Sequence, residues 1–336
     1  MLTGQHPDLN LAAYGLGDLP LLALDCAGMP QPHAHVGQVT RRLLPMLGAV
    51  DVLVVQGDTS SALAGALAGT QAGVPVAHVE AGLRTHDPAN PWPEEEFRVA
   101  IDACARLLFA PTEVSAANLR AEKVEGDIEV TGNTAVDALI EIMPTLRRRC
   151  ARRGSARRLL VTCHRRESWG EGLAGIAAAL IRIAQAEDVE IRFVLHPNPR
   201  VAAQMRSLLE AQSRIRLIEP CSHRDMLQLM RDSDLVLSDS GGMQEEAPTL
   251  GVPLLVLREV TERPEGIASG NARIVGRHED RIVDTVRDLL DDKAALDRMA
   301  RPSMPYGDGA AAPRIAAAID RWLEEGSFEQ PERLRA

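Results

Sequence analysis

The feature that most constrains this chain is its repetition of short apolar runs, each closed by turn or charged residues and followed by a helical segment. In the first half these runs are Val50–Val55, Val74–Val79, Leu107–Phe109 and Ile128–Val130. The second half adds Leu159–Thr162, Ile191–Leu195, Ile215–Ile218, Asp234–Leu237, Leu254–Leu257 and Ala272–Val275. Runs of this length read as buried strands. Strands that alternate with helices pair in parallel, because a parallel neighbour needs a crossover connection. The expected class is therefore α/β, with two Rossmann-like, doubly wound domains and a cleft between them. A chain of 336 residues is long enough to bury two cores.

Finer features divide the chain. The Arg-rich stretch Arg147–Arg158 reads as an exposed linker, giving domains over 1–150 and 151–309. Ala310–Leu323 is amphipathic and reads as a closing helix within 310–336, with a charged tail after it. Leu21–Leu24 reads as a short strand, and Val39–Leu47 as a helix that Pro45 weakens.

Charge narrows the partners. The formal net charge of −10 argues against nucleic acid or an anionic membrane surface. With lysine only at Lys123 and Lys293, side chains that meet an anion must mostly be arginines. Cys26, Cys104, Cys150, Cys163 and Cys221 are scattered, with no C-x-x-C pair, which fits a reducing compartment and offers no cysteine metal site. No stretch reads as a membrane span or a leader, so a cytoplasmic location is expected.

The chemistry gathers where strands end. After Leu235-Val-Leu comes Ser238-Asp-Ser-Gly-Gly-Met-Gln-Glu-Glu-Ala-Pro248. Its glycines let an anion approach the backbone, and a helix opening there offers unpaired N–H groups and a positive dipole end. Such a terminus can hold a diphosphate, and Glu245 and Glu246, read as first-turn residues, can accept from ribose hydroxyls. A Gly-Gly turn alone is usually only structural; the later Thr261-Glu-Arg-Pro-Glu265 strengthens the signal. Asp58 lies past the end of a parallel strand, where ligands of open α/β sheets bind. Glu80 follows Val79 in the same way, and Glu94 and Arg98 share one face of a helix that begins near Pro93. For Glu94 the bland reading, a carboxylate complementing the helix dipole, is about as strong on this segment alone. In the second half His164, Arg165 and Glu167 follow a strand directly. Carboxylates and a histidine beside a diphosphate site suggest acid/base work on a sugar. The residues by themselves do not separate glycosyl transfer from epimerisation.

Taken together, the motifs resemble the non-hydrolysing UDP-N-acetylglucosamine 2-epimerases. The matching stretches of the first half are Thr3-Gly-Gln-His6, Gly57-Asp-Thr59, Val79-Glu-Ala-Gly-Leu-Arg-Thr85, Pro91-Trp-Pro-Glu-Glu95 with Arg98, and Thr131-Gly-Asn-Thr134. Those of the second half are His164-Arg-Arg-Glu167, the Ser238–Pro248 stretch and Thr261–Glu265. The resemblance implies a GT-B-like fold and interconversion of UDP-GlcNAc and UDP-ManNAc without metal or redox cofactor. UDP would leave by elimination, giving 2-acetamidoglucal, and would be re-added with opposite configuration at C2. It places Asp58, Glu80, Glu94, His164 and Arg98 on catalytic positions. Ser240, Gly241, Gly242, Glu246 and Arg263 fall on UDP-binding positions. Gln5 and His6 match a loop that contacts a second, regulatory UDP-GlcNAc in some members. A homodimer is the expected assembly.

Three departures carry expectations of their own. The family opens with a strand and a Gly-Thr-Arg-Pro-Glu loop bearing an arginine and a lysine; the present match begins after that unit of about 30 residues. Weak turnover is therefore expected unless that unit is supplied. Met226 replaces a usual aromatic residue, and Phe97 replaces a common asparagine. The competing expectations are a hydrolysing relative that releases ManNAc and UDP, a GT-B glycosyltransferase, and a UDP-sugar-binding protein with little activity.

Overall fold

The structure, a computed structural model, describes residue 3 and residues 16–24, 26, 31–149, 154–163 and 171–325. The elements run α1 (Pro32–Leu43), β1 (Leu53–Gln56), α2 (Ser60–Ala72), β2 (Val76–Val79), α3 (Glu94–Cys104), β3 (Leu107–Ala110), α4 (Glu113–Glu122) and β4 (Asp127–Val130). They continue with α5 (Thr134–Ile142), β5 (Arg157–Thr162), α6 (Glu171–Ala186), β6 (Val189–Val194), α7 (Pro199–Leu209), β7 (Ile215–Ile218) and α8 (His223–Arg231). The chain closes with β8 (Leu235–Ser238), α9 (Gly241–Leu250), β9 (Leu254–Val256), α10 (Glu265–Ala268), β10 (Ala272–Ile274), α11 (Glu279–Asp291), α12 (Lys293–Met299) and α13 (Ala311–Glu324).

Two compact units result, Met1–Asn133 with Ala310–Ala336, and Thr134–Gly309. Sequence places the division at 150/151, but α5 packs through Leu139 into the same core as Met243 and Ala247 of α9 and so joins the second unit. The two ends of the proposed linker are tied down: Arg147 N–H donates to Gln228 Oε1 at 2.8 Å and Arg158 N–H to Asp234 Oδ2 at 2.9 Å. The helix expected over Val39–Leu47 begins earlier, with Pro32 in its first turn, where no N–H is needed. It ends before Pro45, which sits in a 3₁₀ turn over Leu44–Met46.

In the first unit four parallel strands stand in the order β1-β2-β3-β4. Alternation along the strands sends Val55, Val76 and Leu108 to one face, where Val39, Leu63, Ile101 and Leu119 of the helices cover them. Ala77, Val79, Leu107 and Phe109 point the other way and meet Ile315, Ala318 and Trp322 of α13. The returning helix thus completes the first unit's core. Trp322→Ala should lower the unfolding free energy by about 3–5 kcal/mol, the usual loss for a buried aromatic. Urea denaturation of the full chain checks this, and a loss below about 1 kcal/mol would mean that α13 is not seated on the sheet.

The second unit holds six parallel strands in the order β10-β9-β8-β5-β6-β7. From β5 the chain winds outward through β6 and β7, then returns to β8 and winds the other way. Both faces are covered, one by α6, α7, α11 and α12, the other by α5, α8 and α9. Among the described residues no helix is long and apolar enough to cross a membrane.

Candidate active site

In the first unit the site residues follow from two strand ends. β1 runs into Gly57 and Asp58, and Gly57 N–H donates to Val79 O at 3.1 Å. β2 runs into Glu80, whose φ of 71° is left-handed and uncommon for a residue with a side chain. Two bonds hold it there: the N–H groups of Glu80 and Ala81 both reach Phe109 O at 3.1 Å. Backbone conformations of this kind cost about 1–3 kcal/mol and persist where surrounding structure imposes them. The Glu80 carboxylate lies beside Gly57, with Oε2 3.7 Å from where a Cβ on Gly57 would stand.

α3 supplies the rest. Arg98 Nη2 lies 2.5 Å from Asp58 Oδ2, and Arg98 Nη1 lies 3.1 Å from Glu95 Oε2. Glu95 Oε1 accepts from the N–H groups of Thr85 and His86, each at 2.9 Å. The arginine therefore pairs with Asp58 and Glu95, not with the Glu94 that shares its face. Glu94 Oε2 is buried and has no hydrogen-bond partner among the described residues; the same holds for Glu95 Oε2 and Arg98 Nη1, but those two face each other as an ion pair at 3.1 Å. A buried, unpartnered carboxylate oxygen is costly and marks a place where a donor or proton is to be met. Phe97, the residue in place of asparagine, is buried in the core and meets the edge of the His33 ring at 5.1 Å between centroids.

Behind these turns lies a charged chain in which His78, Asp102 and Arg84 are buried and Glu122 closes it at the surface. His78 Nδ1 is 2.6 Å from Asp102 Oδ1, Arg84 Nη2 is 2.8 Å from Asp102 Oδ2, and Arg84 grips Glu122 through Nε at 2.7 Å and Nη2 at 2.6 Å. Burial works to raise the Asp102 carboxyl, but the hydrogen bond and charge of His78, with Arg84, hold it below the usual value. Arg84 is likewise opposed by burial yet raised by Glu122 and Asp102. Neither His78 nor Asp102 is singled out by sequence reasoning. The available signal was a histidine inside the apolar run Val74–Val79, two residues before Glu80.

The second unit has its strand order reverse at β5 and β8, and ligands of open α/β sheets bind outside the carboxyl ends at such a switch point. β8 delivers Ser240 to that place, and Thr162 Oγ1 lies 2.7 Å from Ser238 Oγ across the two strands. Ser238 Oγ accepts from Ser240 N–H at 3.0 Å, and Ser240 caps α9. Because α9 begins at Gly241, Glu245 and Glu246 lie in its second turn and not, as sequence suggests, in its first.

The reasons for the two glycines differ. A Cβ on Gly241 would stand 2.9 Å from the guanidinium of Arg263, whereas one on Gly242 would meet only Ser240 Oγ at 4.0 Å. Arg263 lies on Gly241 because Glu245 Oε1 holds its Nε at 2.6 Å and Glu262 pairs with its Nη1. Glu245 is nevertheless raised, first by burial and then by Glu246 and Glu262, against the opposing pull of Arg263. The backbone O of Arg263 accepts from Tyr306 at 3.0 Å, so the Thr261–Glu265 segment is pinned at both ends of this residue. Met226, which replaces an aromatic, is half-buried against the apolar core below α9.

Glu246 has a partner that sequence reasoning missed. His223 Nε2 lies 2.5 Å from Glu246 Oε1. That hydrogen bond, more than the opposing burial, raises the His223 pKa. A histidine raised on folding stabilises fully below its unfolded value near 6.5 and loses that contribution as pH rises through the folded value. Wild type should therefore exceed His223→Gln in stability at pH 6, by no more than about 1 kcal/mol because the pair is partly solvated, and match it at pH 9. Equal differences at both pH values in chemical denaturation would remove the charge from this account. Three further residues expected at sites, Gln5, His6 and His164, lie outside the described residues, the last two positions beyond the end of β5.

Comparison with known proteins fits this arrangement. A family model described as UDP-N-acetylglucosamine 2-epimerase matches residues 1–320. The chain is 46% identical over 288 residues to a probable UDP-N-acetylglucosamine 2-epimerase of Ralstonia nicotianae, covering 82% of this chain and 77% of that one. It is 42% identical over 338 residues to the UDP-N-acetylglucosamine 2-epimerase of Yersinia pestis, covering 95% of this chain and 89% of the relative. Among solved structures, the Neisseria meningitidis UDP-GlcNAc 2-epimerase bound to UDP-GlcNAc superposes with a TM-score of 0.85 at 33% identity, over 94% of this chain and 90% of that one. Parallel sheets with GT-B-like relatives, an anion-ready turn at a switch point and a carboxylate-rich pair of strand ends all accord with that match. The chain belongs to the UDP-N-acetylglucosamine 2-epimerase family, whose members are isomerases.

Proposed function

We propose that this chain interconverts UDP-GlcNAc and UDP-ManNAc by the non-hydrolysing route. The observation that carries the proposal is Glu94 Oε2, buried without a hydrogen-bond partner among the described residues, one helical turn from an Arg98 already committed to Asp58. In this reading Glu94 takes the proton from C2 of the sugar. The C2–H electron pair becomes the C1=C2 double bond, the C1–O bond breaks, and UDP departs with both electrons. Return of a proton to the opposite face of C2 and attack of the β-phosphate oxygen on C1 complete the epimerisation. Asp58, Glu80, Arg98 and His164 complete the acid/base set. Ser240, Gly241 and Gly242 supply backbone donors to the diphosphate, Arg263 holds the turn that presents them, and Glu246 accepts from the ribose.

Gln5 and His6 are assigned to a regulatory UDP-GlcNAc contact on the resemblance of their loop. A cytoplasmic homodimer belongs to the same proposal, supported by the scattered cysteines and the family likeness. Incubation with UDP-GlcNAc in heavy water tests the reaction. UDP-ManNAc carrying deuterium at C2 is expected, while free ManNAc and UDP as the accumulating products would replace this route with the hydrolysing one.

A further inference from the structure

We propose that His78 is a positioning residue, which carries a hydrogen on both ring nitrogens and uses one of them to fix the Gly57 carbonyl and thereby Asp58. The proposal rests on the assignment of Asp58 to the acid/base set. The ring is wholly buried, with Nδ1 2.6 Å from Asp102 Oδ1 and Nε2 3.0 Å from Gly57 O. A peptide carbonyl can only accept, so Nε2 must donate. Asp102 faces three donors: besides His78, its Oδ2 accepts Gly82 N–H at 3.1 Å and lies 2.8 Å from Arg84 Nη2. Facing a backbone N–H and a guanidinium, it is a carboxylate and also only accepts. Two acceptors on two nitrogens require two hydrogens, and the ring is cationic.

Its charge does not stand alone. Asp102, Arg84 and Glu122 alternate in sign after it, so the one surplus positive charge of the three buried groups is offset by the Glu122 carboxylate at the surface. The placement has a consequence for the site. Asp102 binds the turn after β2 through Gly82, and through His78 it also binds the turn after β1 at Gly57. One buried carboxylate thus ties together the turns that carry Glu80 and Asp58. Gly82 is indispensable to the first of these, since its φ is +82° and a Cβ there would stand 2.3 Å from Ser115 O.

Two substitutions separate positioning from mere support. In His78→Gln the amide nitrogen reaches toward the place of Nε2 and keeps the donor to Gly57. In His78→Asn it stands near the place of Nδ1, keeping the donor to Asp102 and dropping Gly57. With the full chain, His78→Asn should lose kcat by about 10²-fold, the scale of a misplacement near 1 Å, with KM and UDP affinity little changed. His78→Gln should retain most of kcat. Equal losses in the two variants, or losses that only track stability, would overturn the positioning role. Independently of activity, nitrogen NMR of the unsubstituted protein should show both His78 ring nitrogens bearing hydrogen. The widely split shifts of a neutral ring would overturn the proposal even if both variants failed to fold. Absence of C2 deuteration in the unsubstituted protein would instead strike the proposed reaction, leaving the NMR result to decide the state of His78.

Discussion

Glu94→Gln should lower kcat for UDP-GlcNAc epimerisation by about 10²–10⁴-fold, the usual contribution of a positioned general acid or base, while UDP affinity by calorimetry stays as it was. The size follows from what surrounds the side chain. Arg98 is engaged by Asp58 and Glu95, and Glu95 also holds the Thr85-His86 turn, so Glu94 is not needed to complete that frame. Its Oε2 is buried with no partner among the described residues, a cost that a purely dipole-complementing carboxylate would avoid by facing water. Replacing the carboxylate by an amide keeps the shape and removes the proton acceptor. A Gln variant with near-normal turnover would return Glu94 to the helix-dipole role.

Gly241→Val should reduce UDP affinity by about 10²-fold or more, the loss expected when two charge-assisted bonds of about 1.5–3 kcal/mol each go. Its Cβ would enter the guanidinium of Arg263 at 2.9 Å. That group cannot swing aside freely, because Glu245 and Glu262 are buried and paired with it, and breaking such a pair costs about 3–5 kcal/mol. Either the turn or the arginine moves, and both displace the backbone donors proposed to meet the diphosphate. Gly242→Ala separates this from misfolding, since an added Cβ there meets nothing nearer than 4.0 Å. That variant should keep its stability and, if the proposed diphosphate site is right, bind UDP more weakly, because the added methyl group would crowd the backbone donors of the turn. Unchanged UDP affinity in both folded variants would remove the Ser240–Gly242 turn from the diphosphate site.

The parallel architecture was legible because buried strands in such sheets are largely apolar; even the edge strand Ile215–Ile218, whose Arg216 is exposed, coincides with β7 residue for residue. Ends were less legible: Val74–Val79 pairs only from Val76, since hydrophobicity does not say where a ladder begins. The strand ends that carry Asp58, Glu80 and Ser240 follow from the order of apolar runs and turns. The partners of their side chains do not. Arg98 lies one turn from Glu94 in sequence but pairs with Asp58, 40 positions away, and with Glu95. His223 meets Glu246 across 23 positions and His78 meets Asp102 across 24, separations for which local spacing carries no signal. Gly241 shows the same limit. Its need for glycine comes from Arg263, which only the folded chain brings against it.

The measurement that bears most directly on elimination and return of UDP is positional isotope exchange. UDP-GlcNAc is prepared with ¹⁸O in the oxygen that bridges C1 and the β-phosphorus, and the enzyme is allowed to approach equilibrium. If the C1–O bond breaks and UDP waits in the site, rotation makes the terminal β-phosphate oxygens equivalent before C1 is attacked again. The account predicts that ¹⁸O appears in non-bridging positions of recovered UDP-GlcNAc and UDP-ManNAc, at a rate no slower than epimerisation. Epimerisation with the label retained wholly in the bridge would contradict it.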